Sequence, residues 1–251
     1  MTEWKKRRFW QRAMPVPAAD GHEVHLDDRP LSTPGRARLK LPTAALARAV
    51  AEEWDEADAV IDPTAMPLTR LANTAIDRVA PAHAEMVEEL LRYGMHDLLC
   101  HRADGPAALV ARQRRAWDPL LDWAARRHGV RLIVATGVMP IAQPGDSLAC
   151  LRAAISEHGA FELTALAELV SLSGSLVIGL AALEGASDAE SLWARARLDE
   201  LWQQERWGED GEAAALAARH RDAFLAAWRL ARLIDARAAN DAGPDHNVIE
   251  S

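Results

Sequence analysis

Apolar and polar positions change their period once along this chain. Between His22 and Leu41 the pattern alternates: Val24 and Leu26, then Ala37, Leu39 and Leu41, separated by the turn residues Asp27-Asp28-Arg29-Pro30 and Pro34-Gly35. This predicts a small antiparallel meander. Thr43 reads as the N-cap of a helix with the stripe Leu46, Val50, Trp54 and Ala57, which Ile61-Asp62-Pro63 breaks. Further helices are predicted over Met66–Asp77, beginning near Leu68, and over Pro81–Tyr93. Asp97–Arg102 reads as a short strand and Ala107–Ala116 as a helix. Trp117–Gly129 reads as a second helix, with Asp118 as N-cap, Pro119 at its first position and Gly129 as its stop. Val130–Thr136 is β-rich and predicts another strand, giving the first half at least three or four.

From Asp146 onward the alternation disappears and every segment has helical spacing. The predicted helices run over 147–157, 160–172, 174–183, 188–206 and 211–236. Ser187 with Glu190 forms a capping box before the fourth of these, and Gly208 ends it. The last helix carries a stripe of Leu216, His220, Ala223, Phe224, Ala227, Ala231 and Ile234. The expected fold class is therefore α+β, with a small N-terminal domain containing antiparallel β structure (1–143) and an all-helical C-terminal domain (144–236). A polar tail (237–251) is expected to be disordered.

Composition narrows the function. A net charge of −8 argues against a nucleic-acid binder, which needs a clustered positive surface. Two cysteines, Cys100 and Cys150, suit a reducing compartment better than a disulfide scaffold. The uncharged run Leu169–Leu183 is shorter than the roughly 20 residues of a membrane span, and it reads as a buried helix pair. The basic stretch Lys5-Lys6-Arg7-Arg8 lacks the apolar run of a secretory signal and reads as the ordered start of the domain, with its charges at a solvated or partner-facing edge. No phosphate loop, dinucleotide fingerprint, nucleophile elbow or spaced metal-ligand set is present. Neither a cofactor nor a metal is expected.

One stretch stands apart, Arg197 to Asp210 (RLDELWQQERWGED). Read as one helix, Trp193, Ala196, Glu200, Gln203 and Trp207 share a stripe, which puts a carboxylate and an amide amid aromatic residues. Such groups are costly to bury without partners, so the face either closes an internal hydrogen-bond network or meets something outside. An enzyme or small-ligand protein using Asp199, Glu200 and Gln203 in a pocket is one reading. A recognition face formed by Glu200, Asp199, Gln203, Trp207 and Trp193 is the other, and periodicity favours Glu200 over Asp199 as its centre.

The ordered set KRRFW, Leu26-Asp27 followed by RPLSTP, LPT at 41–43, MPLTRLANTAID, LLCHRA, WDPLLDWA and LDELWQQERWGED resembles the family of assembly chaperones of the F-type ATP synthase head, which attend the alpha subunit. The resemblance implies a β-containing amino-terminal part, a helical carboxy-terminal part and no catalysis. The free protein is expected to be a monomer. Such a chaperone covers the alpha subunit's contact surface until the alpha/beta hexamer forms. In this family an acidic residue of the segment matching LDELWQ matters for function, so Asp199 and Glu200 both qualify. The amino terminus, without a long Arg/Ser-rich presequence, resembles bacterial members, implying a cytoplasmic location rather than the mitochondrial matrix of organellar relatives. The turn Asp27-Asp28 departs from the family's usual Asp-Gly.

Overall fold

The computed structural model describes residues 7–137, 142–208 and 210–235. Strands β1 (Ala13–Ala18), β2 (Gly21–Leu26) and β3 (Arg29–Pro30) form an antiparallel sheet in that order, with Ala13 opposite Leu26 and Leu26 opposite Arg29. The β2–β3 turn is held by Asp27. It takes a left-handed φ of 52°, and its carboxylate accepts from the backbone N–H groups of Gln11 and Arg12. The sheet rests on α1 (Ala44–Asp55), capped by Thr43, whose hydroxyl accepts from Leu46 N at 3.1 Å. The alternation from Ala37 to Leu41 yields isolated bridges, Ser32 with Arg38 and His22 with Leu41, rather than a further strand. Arg8 is not a solvated charge: its guanidinium donates to the carbonyls of Asp55 (2.7 Å) and Ala57 (2.9 Å) at the end of α1.

Next come α2 (Pro67–Thr74), a π turn over Ala75–Val79, a 3-10 turn over Ala80–Ala82 and α3 (His83–Met95). The tract MPLTRLANTAID is structural at its end. Asp77 accepts from Thr33 Oγ1 (2.6 Å) and Gly35 N (2.8 Å), clamping the turn before Leu39. Gly35 is required there, because a Cβ would lie 2.6 Å from the Asp77 carboxylate.

The expected strand over Asp97–Arg102 is mostly a 3-10 turn, Leu98–Cys100, followed by the two-residue β4 (His101–Arg102). The enclosed Asp97 carboxylate accepts from Leu99 N and so starts the turn instead. Helix α4 runs unbroken over Ala107–His128, with Pro119 inside it. Asp118 is therefore not an N-cap; it pairs with Arg102 at 2.9 Å. One buried stripe, Leu109, Gln113, Trp117, Leu120 and Ala124, spans the position of the expected break, and its burial outweighs the backbone hydrogen bond that proline forgoes. The strand expected over Val130–Thr136 shrinks to β5 (Ala135–Thr136), parallel to β4. Side chains replace a partner strand for the rest: Ser147 bonds both backbone groups of Arg131, and Gln143 bonds both of Ile133.

The helical part comprises α5 (Gly145–Ser156), α6 (Ala160–Ser173), α7 (Leu176–Leu183), α8 (Ala189–Ala196), α9 (Leu198–Trp207) and α10 (Gly211–Ile234). Every residue of α7 is buried, in keeping with the helix pair read from Leu169–Leu183. Asp188, not Ser187, caps α8, accepting from Ser191 N at 2.8 Å. One continuous core runs from Trp10 and Val24 through Trp117 to Phe224 and Ile234. Helices α2 and α3 pack onto α5, α6, α7 and α10, so they belong to the same core as the helices that follow them. The polar tail beyond 236 lies outside the described residues. No described helix is long and apolar enough to cross a membrane.

Candidate functional site: the helical corner at α9

The stretch 188–206 is two helices, not one. Arg197 leaves helical geometry (φ −100°, ψ 17°) between α8 and α9, and its side chain lies over the Trp193 ring while pairing with Glu200. The single stripe expected from sequence is therefore split. Trp193, in α8, is buried with its ring 5.4 Å from that of Phe224. Trp207, at the far end of α9, is 78% exposed, and Gly208 with φ 89° closes the helix after it.

The two carboxylates of the corner have different surroundings. Asp199 accepts from Gln113 Nε2 at 2.8 Å, and Gln113, buried in α4, accepts in turn from Ala103 N at 2.9 Å. Asp199 thus fastens α9 to α4 and the loop before it. Glu200 points outward with a side chain 63% exposed and Arg197 as its partner. Gln203 is exposed and Gln204 half-buried. Two guanidiniums lie near the Trp202 ring, that of Arg206 at 4.4 Å and that of Arg112 at 5.9 Å from its centroid. Arg112 also binds Glu205, at 2.7 and 2.8 Å; this hydrogen bond holds the Glu205 carboxyl below its ordinary range and raises Arg112.

Beyond Gly208 the first three turns of α10 are almost wholly exposed, Leu216 among them, and the stripe predicted for this helix is buried only from Phe224 onward. Asp199, Glu200 and Gln203 do not converge on a cavity: one is turned into α4 and the other two face outward. Among the described residues no three His, Cys, Asp or Glu side chains are placed to hold a metal.

Sequence reading overlooked the α4 half of this corner. Gln113 sits mid-stripe between Leu109 and Trp117, the same signal of a polar group on an apolar face that singled out Glu200. Trp117 is fully enclosed, and its indole N–H donates to Arg195 O at 2.9 Å, tying α4 to α8.

The fold and the corner define an α+β protein whose notable surface is an exposed helical corner, with Trp207, Glu200 and Gln203 facing outward, and its similarities place it among molecular chaperones. Residues 7–125 match the family described as ATP12 chaperone protein. The chain resembles Atp12 of Paracoccus denitrificans in two solved structures, one of them an aspartate-to-lysine variant. Both show 48% identity and a TM-score of 0.89, and cover 93% and 92% of this chain and 100% of theirs. A solved protein of Agrobacterium tumefaciens, proposed to be a chaperone, is 38% identical with a TM-score of 0.88, over 91% of this chain and 86% of its own. The mitochondrial protein atp12 of Schizosaccharomyces pombe is 25% identical over 214 residues, 80% of this chain and 74% of the yeast protein. The chain belongs to the ATP12 family, the ATP synthase assembly chaperones whose motifs it carries.

Proposed function

We propose that this chain is a non-catalytic chaperone of the unassembled ATP synthase alpha subunit, shielding its subunit-contact surface until the alpha/beta hexamer forms. The observation that carries this is the corner itself: a largely exposed tryptophan, Trp207, beside an outward Glu200 and Gln203, on a helix hydrogen-bonded to α4 through Asp199. Exposed aromatic residues with a polar rim suit contact with another protein. In this reading Glu200, Gln203 and Trp207 touch the client, Asp199 holds α9 in place, and Trp193 supports the corner from the core. In this reading the free protein is a monomer, and likeness to Paracoccus and Agrobacterium proteins supports a place in the bacterial cytoplasm.

The test is whether the tagged protein retains purified alpha subunit and suppresses its light scattering on dilution from denaturant. If alpha neither co-purifies nor stays soluble, the reading fails. Glu200→Ala is expected to weaken retention while leaving the unfolding free energy within about 0.5 kcal/mol of the parent, as for other exposed positions. A large loss of stability would reassign Glu200 to a structural role.

A further inference from the structure

Beside the corner, α4 and α8–α9 enclose an open groove of about 330 Å³. It is lined by the apolar Ala194, Leu198 and Leu201 together with Arg112, Arg115 and Arg195. Arg112 and Arg115 are three residues apart and project from one side of α4, while Arg195 faces them from α8. The side chains of Arg115 and Arg195 have no carboxylate partner among the described residues, whereas Arg112 already holds Glu205 at 2.7 Å. That pair shows on this chain what these arginines accept.

We infer that this groove is a docking site for an acidic amphipathic segment of the client, which seats an apolar residue against Ala194, Leu198 and Leu201 and carboxylates on Arg115 and Arg195. This rests on the chaperone reading above. Charge complementarity selects the occupant: cations beside an apolar lining stand out on a chain of net charge −8. A nucleic acid would need a longer run of cations than these three arginines supply. The walls are also fixed in advance, by Trp117 Nε1 to Arg195 O, Gln113 to Asp199 and Arg112 to Glu205, so little ordering cost falls on binding.

Two probes test it: the alpha subunit, and a helical peptide with leucine along one face and flanking glutamates, set against its counterpart with lysine at those flanks. The glutamate peptide is expected to bind and the lysine peptide not. Arg115→Glu combined with Arg195→Glu is expected to weaken both alpha and the glutamate peptide by about tenfold or more, with Arg115→Lys/Arg195→Lys losing far less. An unchanged unfolding midpoint in the charge-reversed protein excludes misfolding. Equal retention of alpha by the reversed and parent proteins overturns the groove and leaves the chaperone reading standing. If the parent fails to hold alpha, the chaperone reading falls and the peptides alone decide the groove. Loss of the glutamate peptide on reversal then upholds it, and equal binding of both peptides overturns it.

Discussion

At the scale of single residues, Asp97 shows how burial and hydrogen bonding oppose each other. Full enclosure raises its carboxyl above the ordinary range, while Val177 N (3.0 Å), Ser175 Oγ (2.7 Å) and Leu99 N (3.0 Å) each donate to it. Its neighbour Cys100 is affected by the same enclosure. Burial, followed by the Asp97 charge, pushes the Cys100 thiol up to about 12. Native protein treated with iodoacetamide at pH 8 is therefore expected to carry label on the half-buried Cys150 and not on Cys100, as read by peptide mass spectrometry. Equal labelling of both would refute the enclosure. Glu184 behaves oppositely. Burial would raise its carboxyl, but His128 at 2.8 Å and Arg127 at 2.7 Å outweigh that and hold it below its ordinary value of 4.5. A carboxyl lowered in the folded state adds stability above its unfolded value, and that stability is lost as pH falls through the folded value. Glu184→Gln should cost about 1 kcal/mol at pH 7 in urea unfolding, with the deficit shrinking toward pH 3. The same deficit at both pH values would show that charge plays no part.

At the scale of elements, contact between helices sets what each position tolerates. In α7, a Cβ on Gly179 would lie 2.4 Å from Val170 Cγ2 in α6, and the branched valine has little freedom to yield. Gly179→Ala should therefore lower the unfolding free energy by about 1–3 kcal/mol, despite alanine's better helix propensity, with a matching fall in thermal midpoint. A rise in midpoint would show that α6 and α7 can separate at no cost. Element ends with local causes were readable in advance: Thr43 as cap, Gly129 as stop, Gly208 after α9. Strand β1 was not, because Pro15 and Pro17 break its pattern; prolines are admissible there because β1 is an edge strand. The strand signal at 130–134 misled for the converse reason: its backbone bonds go to Ser147 and Gln143, residues that no local pattern couples to it.

At the scale of the whole molecule, the change of composition near 144 does not coincide with a gap in the core. The division into 1–143 and 144–236 is best proposed as one of architecture, α+β before and helical after. Helices α2 and α3 cover α5 and α6, so a fragment of 144–236 alone would expose the apolar faces that Leu68, Leu90 and Leu91 help to bury. Such a fragment is expected to show no cooperative thermal transition by circular dichroism, whereas the full chain does. A sharp transition in the fragment would establish an independent domain.

The sequence by itself determined the α+β class, most helices, the cap at Thr43 and the stops at Gly129 and Gly208, the absence of familiar catalytic motifs and, through scattered but ordered motifs, the chaperone family. These depend on periodicity and on contacts a few residues apart. Tertiary structure alone decided what the candidate corner is made of. The chain turns at Arg197 because α8 sets Trp193 against Phe224 while α9 fastens to α4, so Trp193 is buried, Trp207 is exposed and Asp199 meets Gln113, 86 positions earlier. A stripe drawn on one ideal helix cannot contain that outcome, because it depends on which distant face each half of the stretch meets.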